Sequence, residues 1–84
     1  MHHVYILGSQ QNSGLIYKGY TTDLPSRLLK HNSGEVLSTQ HGRPWRILVS
    51  ASFETVKIAL AFEKYLKTGS GIAFMRKRLI VQTP

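Results

Sequence analysis

The stretch Ile16–His31 contains a tyrosine, an arginine and a histidine at spacings that favour one common site. Segment 16–20 is rich in aromatic and β-favouring residues, which predicts a strand that carries Tyr17. Arg27 and His31 are four residues apart, so they share one face of the helix predicted to follow. A phenol on a strand, with a guanidinium and an imidazole on the next helix, could face a space that holds a phosphodiester.

These side chains match the tasks of phosphodiester hydrolysis by type. A tyrosine near a cation can have its pKa lowered enough to take a proton from water. Arg27 offers a fork of N–H donors to phosphate oxygens, and His31 can orient or deprotonate a tyrosine hydroxyl. Tyr5, from an earlier β-rich segment, is a second candidate phenol. Ordinary strand packing is the alternative role of Tyr5 and Tyr17.

A glutamate lies where the pattern predicts a buried helix face. The segment Thr55–Lys67 predicts an amphipathic helix. Its apolar side collects Val56, Ala59, Leu60, Phe62 and Leu66. Glu63 falls in the middle of that side, where a carboxylate is costly unless it is paired, hydrogen-bonded or bound to a metal. Two roles stay open for Glu63: a buried salt bridge, for instance to Arg27, or a metal ligand.

The small number of acidic residues limits the metal chemistry. The chain has four of them, whereas two-metal nucleases need several carboxylates in one cleft. Asp23 is a candidate helix cap. Glu54 precedes a helix and Glu35 lies in a predicted loop, so only Glu63 points inward. We therefore expect one Mg²⁺ or Mn²⁺ ion with one protein carboxylate, and water and phosphate oxygens as the other ligands.

Three strands and three helices position these residues. The predicted strands form a small antiparallel sheet and are Val4–Leu7, Leu15–Tyr20 and Trp45–Phe53. The predicted helices run from Asp23 to Ser33, from Thr55 to Lys67 and from Ile72 to Ile80. The remaining segments are a loop at Glu35–Pro44, a flexible joint at Thr68–Gly71 and a frayed tail at Val81–Pro84. The order β-β-α-β-α-α predicts one α/β domain over residues 1–84, a three-stranded antiparallel sheet flanked by helices.

The charge of the chain favours a polyanionic partner. Eleven lysines and arginines against four acidic residues give a net charge of +7, which points first to nucleic acid and second to an acidic membrane surface. A ribosome-associated or merely basic small protein is the alternative. No apolar run approaches the roughly 20 residues of a membrane span. The absence of cysteine excludes a disulfide framework and a thiolate zinc site, and it is compatible with the cytoplasmic location that we expect.

Alternation along the strands separates the side chains into two faces. Tyr5 points to one face of its strand and Val4 to the other. Lys18 is predicted opposite Tyr17, over solvent or against DNA. The candidate DNA contacts, chosen as groups able to touch phosphate or sugar, are Lys18, Lys30, Thr39, Arg43, Lys67, Arg76, Lys77 and Arg78.

Short sequence motifs occur along nearly the whole chain. Each motif alone is a weak signal, whereas their order is specific. They are Val4-Tyr5, Tyr17-Lys18-Gly19, His31-Asn32-Ser33-Gly34, the loop that contains Thr39, Arg43-Pro44-Trp45 and Ala59-x-x-x-Glu63-Lys64-Tyr65-Leu66-Lys67. This order resembles the GIY-YIG endonuclease superfamily, in particular its short stand-alone bacterial members. Arg27, His31 and Glu63 fall where that family keeps its arginine, its histidine and its metal-binding glutamate.

The resemblance implies the GIY-YIG α/β fold and metal-dependent hydrolysis of a phosphodiester in DNA, in repair, recombination or processing. By the same resemblance, Tyr5 or Tyr17 would activate water and His31 would assist. Arg27 would hold the scissile phosphate, and Glu63 would hold Mg²⁺ or Mn²⁺.

Three departures from the family pattern are visible. The first motif reads His3-Val4-Tyr5 and lacks its glycine, and Lys18 stands where the second motif usually has an aliphatic residue. Many relatives also have an asparagine late in the domain, whereas none follows Asn32 here. These departures keep a second hypothesis open, a non-catalytic nucleic-acid-binding module on the same scaffold. A small protein–protein adaptor is a third.

Overall fold

Three strands and three helices make up the part of the chain that the computed structural model describes, residues 1–80. The strands are β1 (His2–Ser9), β2 (Ile16–Thr21) and β3 (Trp45–Phe53). The helices are α1 (Leu24–Ser33), α2 (Val56–Tyr65) and α3 (Gly69–Phe74). A 3-10 helix at Leu37–Gly42 precedes β3, and a π-helical turn at Met75–Leu79 continues α3. The predicted element order is confirmed, and the tail Val81–Pro84 lies outside the described residues.

The sheet has the order β2-β1-β3, and both pairings are antiparallel. Strand β1 is central, and its register with β2 places Tyr5 opposite Gly19 and Leu7 opposite Tyr17. A register shift on the β3 side falls between Ile6 and Leu7. The α/β fold with a three-stranded antiparallel sheet is therefore confirmed.

The two faces of β1 are buried in different hydrophobic clusters. Val4 and Ile6 pack with Ala59 of α2, with Leu66 directly after that helix, and with Met75. On the other face, the buried residues are Tyr5, Leu7 and Trp45, and Leu24 and Leu28 of α1 pack against them. The alternation predicted from the sequence is confirmed, and α1 and α2 lie on opposite sides of the sheet.

Helix α1 begins and ends at the residues that the sequence predicts. The Asp23 side chain accepts a hydrogen bond from Ser26 N at 3.2 Å, which caps the first turn. Pro25 lies in that turn, where its missing N–H costs nothing. Gly34 ends the helix with φ = 87°, a left-handed conformation that glycine adopts without strain.

Helix α2 contacts the sheet along a narrower stripe than its sequence suggests. Ala59 and Leu66 are fully buried, and Phe62 packs beside them. Val56 and Leu60, predicted on the same apolar side, are 44% and 43% exposed. They lie at the edge of the i, i+3, i+4, i+7 stripe that meets the sheet, so solvent reaches them.

Two connecting segments differ from their predictions. The predicted flexible joint at Thr68–Gly71 is ordered, since Thr68 caps α3 by accepting a hydrogen bond from Gly71 N at 3.1 Å. Gly71 packs against the Tyr65 carbonyl so closely that no side chain would fit there. The predicted loop at Glu35–Pro44 contains the 3-10 helix. Within residues 1–80, no helix is both long and apolar enough to cross a membrane.

Candidate active site

The two candidate tyrosines and the candidate histidine form one aromatic cluster. The Tyr5 hydroxyl lies 2.9 Å from His31 Nε2, within hydrogen-bond distance. The Tyr17 ring lies 4.9 Å from the His31 ring and 6.3 Å from the Tyr5 ring, measured between centroids. Tyr5 and His31 are buried, whereas Tyr17 is partly exposed. Strands β1 and β2 and helix α1 thus bring these three side chains together.

Gly19 leaves the space that the Tyr5 ring occupies. A Cβ atom at this position would lie 2.5 Å from Tyr5 Cζ and Oη and 3.1 Å from Tyr17 Cε2. The glycine of the second motif is therefore required by the close approach of the two phenols to the β2 backbone.

Arg27 and Glu63 act on this cluster through their charges. The pKa of Tyr5 is raised to about 12, first by burial and then by Tyr17 and Glu63, whereas Arg27 lowers it. Arg27 comes from α1, on the same side of the sheet as Tyr5, whereas Glu63 comes from α2.

His31 is held in its neutral form. Burial lowers its pKa below the ordinary value, and the neighbouring Arg27 lowers it further. A neutral imidazole has one bare nitrogen, so it can accept a hydrogen bond. Tyr5, with its raised pKa, stays protonated at neutral pH and can donate one.

Thr39 is not available to DNA, contrary to its prediction as a DNA contact. It is 1% exposed, and its Oγ1 lies 2.8 Å from His31 Nδ1. It also donates to the Val36 carbonyl at 3.2 Å. The prediction failed because the segment expected to be a solvated loop folds inward and places this hydroxyl under the imidazole.

Glu63 is partly buried, and its ion pair with Lys67 is weak. Its side chain is 21% exposed, and its partner within residues 1–80 is Lys67, with a 3.7 Å separation between Lys67 Nζ and Glu63 Oε2. Such an exposed pair between residues four apart contributes little. The predicted alternative, a buried salt bridge between Glu63 and Arg27, is not formed.

The residues present fit one hard divalent cation. No group of three or more histidine, aspartate or glutamate side chains gathers anywhere in residues 1–80, so a cage made only of protein ligands is not available there. One carboxylate, completed by water and phosphate oxygens, satisfies Mg²⁺ or Mn²⁺. Glu63 offers such a carboxylate from α2, and its charge raises the pKa of Tyr5.

Lys18 has a partner that the sequence did not indicate. Its Nζ donates to the Leu66 carbonyl at 2.9 Å, at the C-terminal end of α2. Burial lowers the pKa of Lys18, and the nearby Lys67 and Arg76 lower it further. Alternation correctly predicts that Lys18 leaves the Tyr17 face, but its amine meets a helix end there instead of open solvent.

The other candidate DNA contacts lie on the surface. Lys30, Arg43, Lys67 and the run Arg76-Lys77-Arg78 are exposed. Arg43 also donates from Nε to the Gln40 carbonyl at 2.9 Å, which stabilises the end of the 3-10 helix. The charged groups of this set therefore lie at the surface, where phosphates could reach them.

Asn32 and Trp45 are supporting residues that the sequence reasoning missed. The Asn32 side chain donates to the Trp45 carbonyl at 3.0 Å and accepts from Trp45 N at 2.6 Å. The buried Trp45 ring donates from Nε1 to the Thr39 carbonyl at 2.8 Å. The single tryptophan of the chain was the available sequence signal for this support. A large indole tends to be buried, and its N–H then needs a hydrogen-bond acceptor nearby.

A cleft of about 560 Å³ lies near the β1–β2 turn, away from these residues. Ile16, Arg46 and Leu79 are among the residues that line it, and none of the five candidate catalytic residues does. A site that acts on a polymer on the protein surface does not require an enclosing pocket.

The comparisons with known proteins identify the family of the chain. The family model of the GIY-YIG catalytic domain matches residues 1–73. The chain belongs to the GIY-YIG family. The match confirms the family that the ordered motifs indicate, and with it the prediction of an enzyme of the nuclease class.

Curated relatives of this GIY-YIG chain include short proteins of similar length. It is 35% identical over 68 residues to a UPF0213 protein of Halobacterium salinarum, an alignment that covers 80% of this chain and 86% of the relative. It is 34% identical over 70 residues to a UPF0213 protein of Staphylococcus saprophyticus, covering 82% and 83%.

A longer relative has a name that states an activity. The chain is 44% identical over 66 residues to the structure-specific endonuclease subunit slx1 of Schizosaccharomyces pombe. That alignment covers 70% of this chain and 24% of the relative. No solved structure matches the chain significantly.

Proposed function

We propose that this GIY-YIG protein is a DNA endonuclease that hydrolyses a phosphodiester with one divalent cation, in repair, recombination or DNA processing. The observation that carries the proposal is the contact of the Tyr5 hydroxyl with the buried imidazole of His31, with Tyr17 against both rings. The charges of Arg27 and Glu63 shift the pKa of Tyr5 in opposite directions. A cytoplasmic location stays a prediction from the sequence.

Glu63 would hold the cation, Mg²⁺ or Mn²⁺. When bound there, the ion would supply positive charge to the scissile phosphate as hydrolysis proceeds. Glu63 is suited to this role because its carboxylate is partly sheltered and its one ion pair, with Lys67, is weak.

Tyr17 is the better candidate to take the proton from water. Tyr17 is partly exposed, and within residues 1–80 its hydroxyl oxygen is neither hydrogen-bonded nor buried, so a water molecule can reach it. Tyr5 is buried and its pKa is raised to about 12, which keeps it a neutral phenol. Because the two phenols lie in such different surroundings, we expect them to have different roles in the reaction.

The other side chains would bind the phosphate and order the phenols. Arg27 would donate two N–H groups to non-bridging oxygens and so favour the charge that develops during hydrolysis. In the reaction, the water oxygen would bond to phosphorus while one water proton passes to the phenolate form of Tyr17, the bond to the leaving oxygen would break, and the leaving oxygen would take a proton from solvent. His31 would act through Tyr5, by fixing the direction of its hydroxyl.

The DNA form to test first is branched DNA. The fission yeast relative is named a structure-specific endonuclease subunit, which favours a substrate recognised by shape. A chain of 84 residues with a net charge of +7 has ample positive charge for phosphate but little surface for reading bases. Exposed cations such as Lys30 and Arg76 would position the duplex arms.

The test is cleavage by the purified chain of flapped, branched, single-stranded and plain duplex DNA. Each substrate is incubated with Mg²⁺, with Mn²⁺ and with chelator. We expect nicking that requires the ion and that Arg27→Ala abolishes. Cleavage that survives the chelator, or that Arg27→Ala leaves intact, would contradict the proposal.

The same experiment separates catalysis from binding alone. A non-catalytic module would bind these DNAs in a salt-sensitive way, would be unaffected by the ion, and would cut none of them. Binding without any cleavage, by a protein whose fold is verified by circular dichroism, would favour that module instead of the enzyme.

A further inference from the structure

A chain of three buried side chains connects the 3-10 helix to the phenol cluster. The order is Thr39, His31, Tyr5, with separations of 2.8 Å from Thr39 Oγ1 to His31 Nδ1 and 2.9 Å from His31 Nε2 to the Tyr5 hydroxyl. Their exposed fractions are 1%, 0% and 2%. Water therefore has almost no access to these groups, so each proton must find an acceptor within the chain.

One arrangement of protons satisfies every donor. The Thr39 hydroxyl donates to the Val36 carbonyl, at 3.2 Å, which leaves its oxygen to accept from His31 Nδ1–H. His31 Nε2 is then bare and accepts the proton of the Tyr5 hydroxyl. Neutral imidazole has one N–H and one bare nitrogen, as this arrangement requires.

The opposite arrangement leaves a donor without an acceptor. If His31 had its proton on Nε2, it would donate to the Tyr5 oxygen, and Thr39 would donate to the bare Nδ1. The Tyr5 proton would then have no acceptor in the described part of the chain. A buried hydroxyl without an acceptor is destabilising, so the first arrangement is favoured.

The backbone of Thr39 is held in place from two directions. The Trp45 indole donates to the Thr39 carbonyl at 2.8 Å, and Thr39 N donates to the Val36 carbonyl at 3.1 Å. Asn32, next to His31, hydrogen-bonds both the N–H and the carbonyl of Trp45. The positions of the threonine and the imidazole are thus fixed relative to each other.

We propose that Thr39 is a positioning residue that sets the tautomer of His31 and thereby turns the lone pairs of the Tyr5 oxygen toward the active site. This proposal rests on the proposed nuclease function for its catalytic consequence. With its one proton committed to His31, the Tyr5 oxygen can only accept a further hydrogen bond, from a donor group brought into the active site. With the other tautomer, Tyr5 would present a proton to that donor instead.

The tautomer is measured directly by long-range ¹H–¹⁵N spectra of the labelled protein near neutral pH. We expect wild-type His31 to have its proton on Nδ1. Thr39→Val removes the acceptor of Nδ1–H at nearly constant volume, so the preference for Nδ1 should be lost and a measurable Nε2–H population should appear, whereas Thr39→Ser should keep the proton on Nδ1. Thr21→Val, which removes the hydroxyl of another buried threonine, should leave the His31 tautomer unchanged.

Cleavage kinetics measure the consequence for the reaction. Thr39→Val should lower kcat about 10- to 100-fold, the usual effect of losing a hydrogen bond that orients a functional histidine. KM for DNA should stay unchanged, because a residue with 1% exposure does not touch the substrate. Thr39→Ser should restore most of kcat.

Each result has a defined meaning. Wild-type His31 with its proton on Nε2, or a folded Thr39→Val variant with the wild-type tautomer, overturns the proposal. If Thr39→Val does not fold, the wild-type tautomer and the Thr39→Ser variant still decide. If the wild-type chain cuts no DNA but shows the expected tautomers, the nuclease function fails while the role of Thr39 in setting the tautomer stands.

Discussion

The Tyr5 hydroxyl lies 2.9 Å from His31 Nε2, and both side chains are almost completely buried. Strand β1 supplies the tyrosine and helix α1 the histidine, so this contact joins the sheet to the helix that also carries Arg27. The contact therefore stabilises the fold and also positions side chains of the candidate active site.

Tyr5→Phe should reduce stability and activity together. The substitution leaves His31 Nε2 buried without a partner, which should lower the free energy of unfolding by about 1–3 kcal/mol in urea denaturation. Tyr20→Phe is the matched control, because it also loses a tyrosine–histidine hydrogen bond, to His2, but at a partly exposed position. The account is contradicted if Tyr5→Phe cuts DNA as fast as Tyr20→Phe does.

The pH dependence of cleavage should report the neutral form of His31. Burial and Arg27 lower the pKa of His31 below its ordinary value, so the imidazole stays neutral until the pH falls well below about 6.5. Below its pKa in the folded protein, His31 gains a proton and can no longer accept one from Tyr5. The acidic limb of kcat/KM should therefore have its midpoint below pH ~6.5.

The stability of the fold should change in the same direction. Between the lowered pKa of His31 in the folded state and the ordinary value in the unfolded state, the unfolded chain binds more protons, so stability falls as the pH falls. His41→Asn, at an exposed histidine, should leave the acidic limb unchanged. A limb centred above pH ~6.5 would not fit a buried, neutral His31.

Gly19→Ala should displace the phenol cluster. The new Cβ would meet Tyr5 Cζ and Oη at 2.5 Å, so the Tyr5 ring must move. Displacements of about 1 Å at a reacting centre can cost about 100-fold in rate, and we expect a loss of kcat of that order. Gly14→Ala is the control, since its Cβ would meet only Asn12 Oδ1, at 3.6 Å. Equal cleavage rates for the two variants would contradict the geometry.

Lys18→Met should destabilise the end of α2. The Lys18 amine donates to the Leu66 carbonyl, and a cation at the C-terminus of a helix also interacts favourably with the helix dipole. We expect a loss of about 1–2 kcal/mol in the free energy of unfolding. Lys57→Met, at an exposed lysine of the same helix, should change it by less than about 0.5 kcal/mol. Equal effects would show that Lys18 does not cap α2.

The parts of the fold and site that follow from local patterns were predictable. The spacing of Arg27 and His31, the cap at Asp23 and the strand alternation around Tyr5 depend on neighbouring residues, and the structure agrees with each. The ordered motifs likewise indicated the family.

The remaining features depend on contacts between distant segments. Thr39 looked like a polar loop residue because nothing nearby in the sequence shows that the Trp45 indole holds its carbonyl. Lys18 meets Leu66, 48 residues away, only because α2 packs on that face of the sheet. Gly71 suggested flexibility, but the close approach of the Tyr65 carbonyl is what requires a glycine there.

The most direct test of the central claim is single-turnover cleavage of branched DNA by a pair of glutamate variants. Glu63→Gln and Glu54→Gln remove the same charge from the same small protein, but only Glu63 influences the Tyr5 phenol. We predict that Glu63→Gln lowers the Mg²⁺-dependent rate by about 1,000-fold or more, whereas Glu54→Gln keeps the wild-type rate. Equal rates for the two variants would contradict a metal-dependent active site built around Tyr5, Tyr17 and His31.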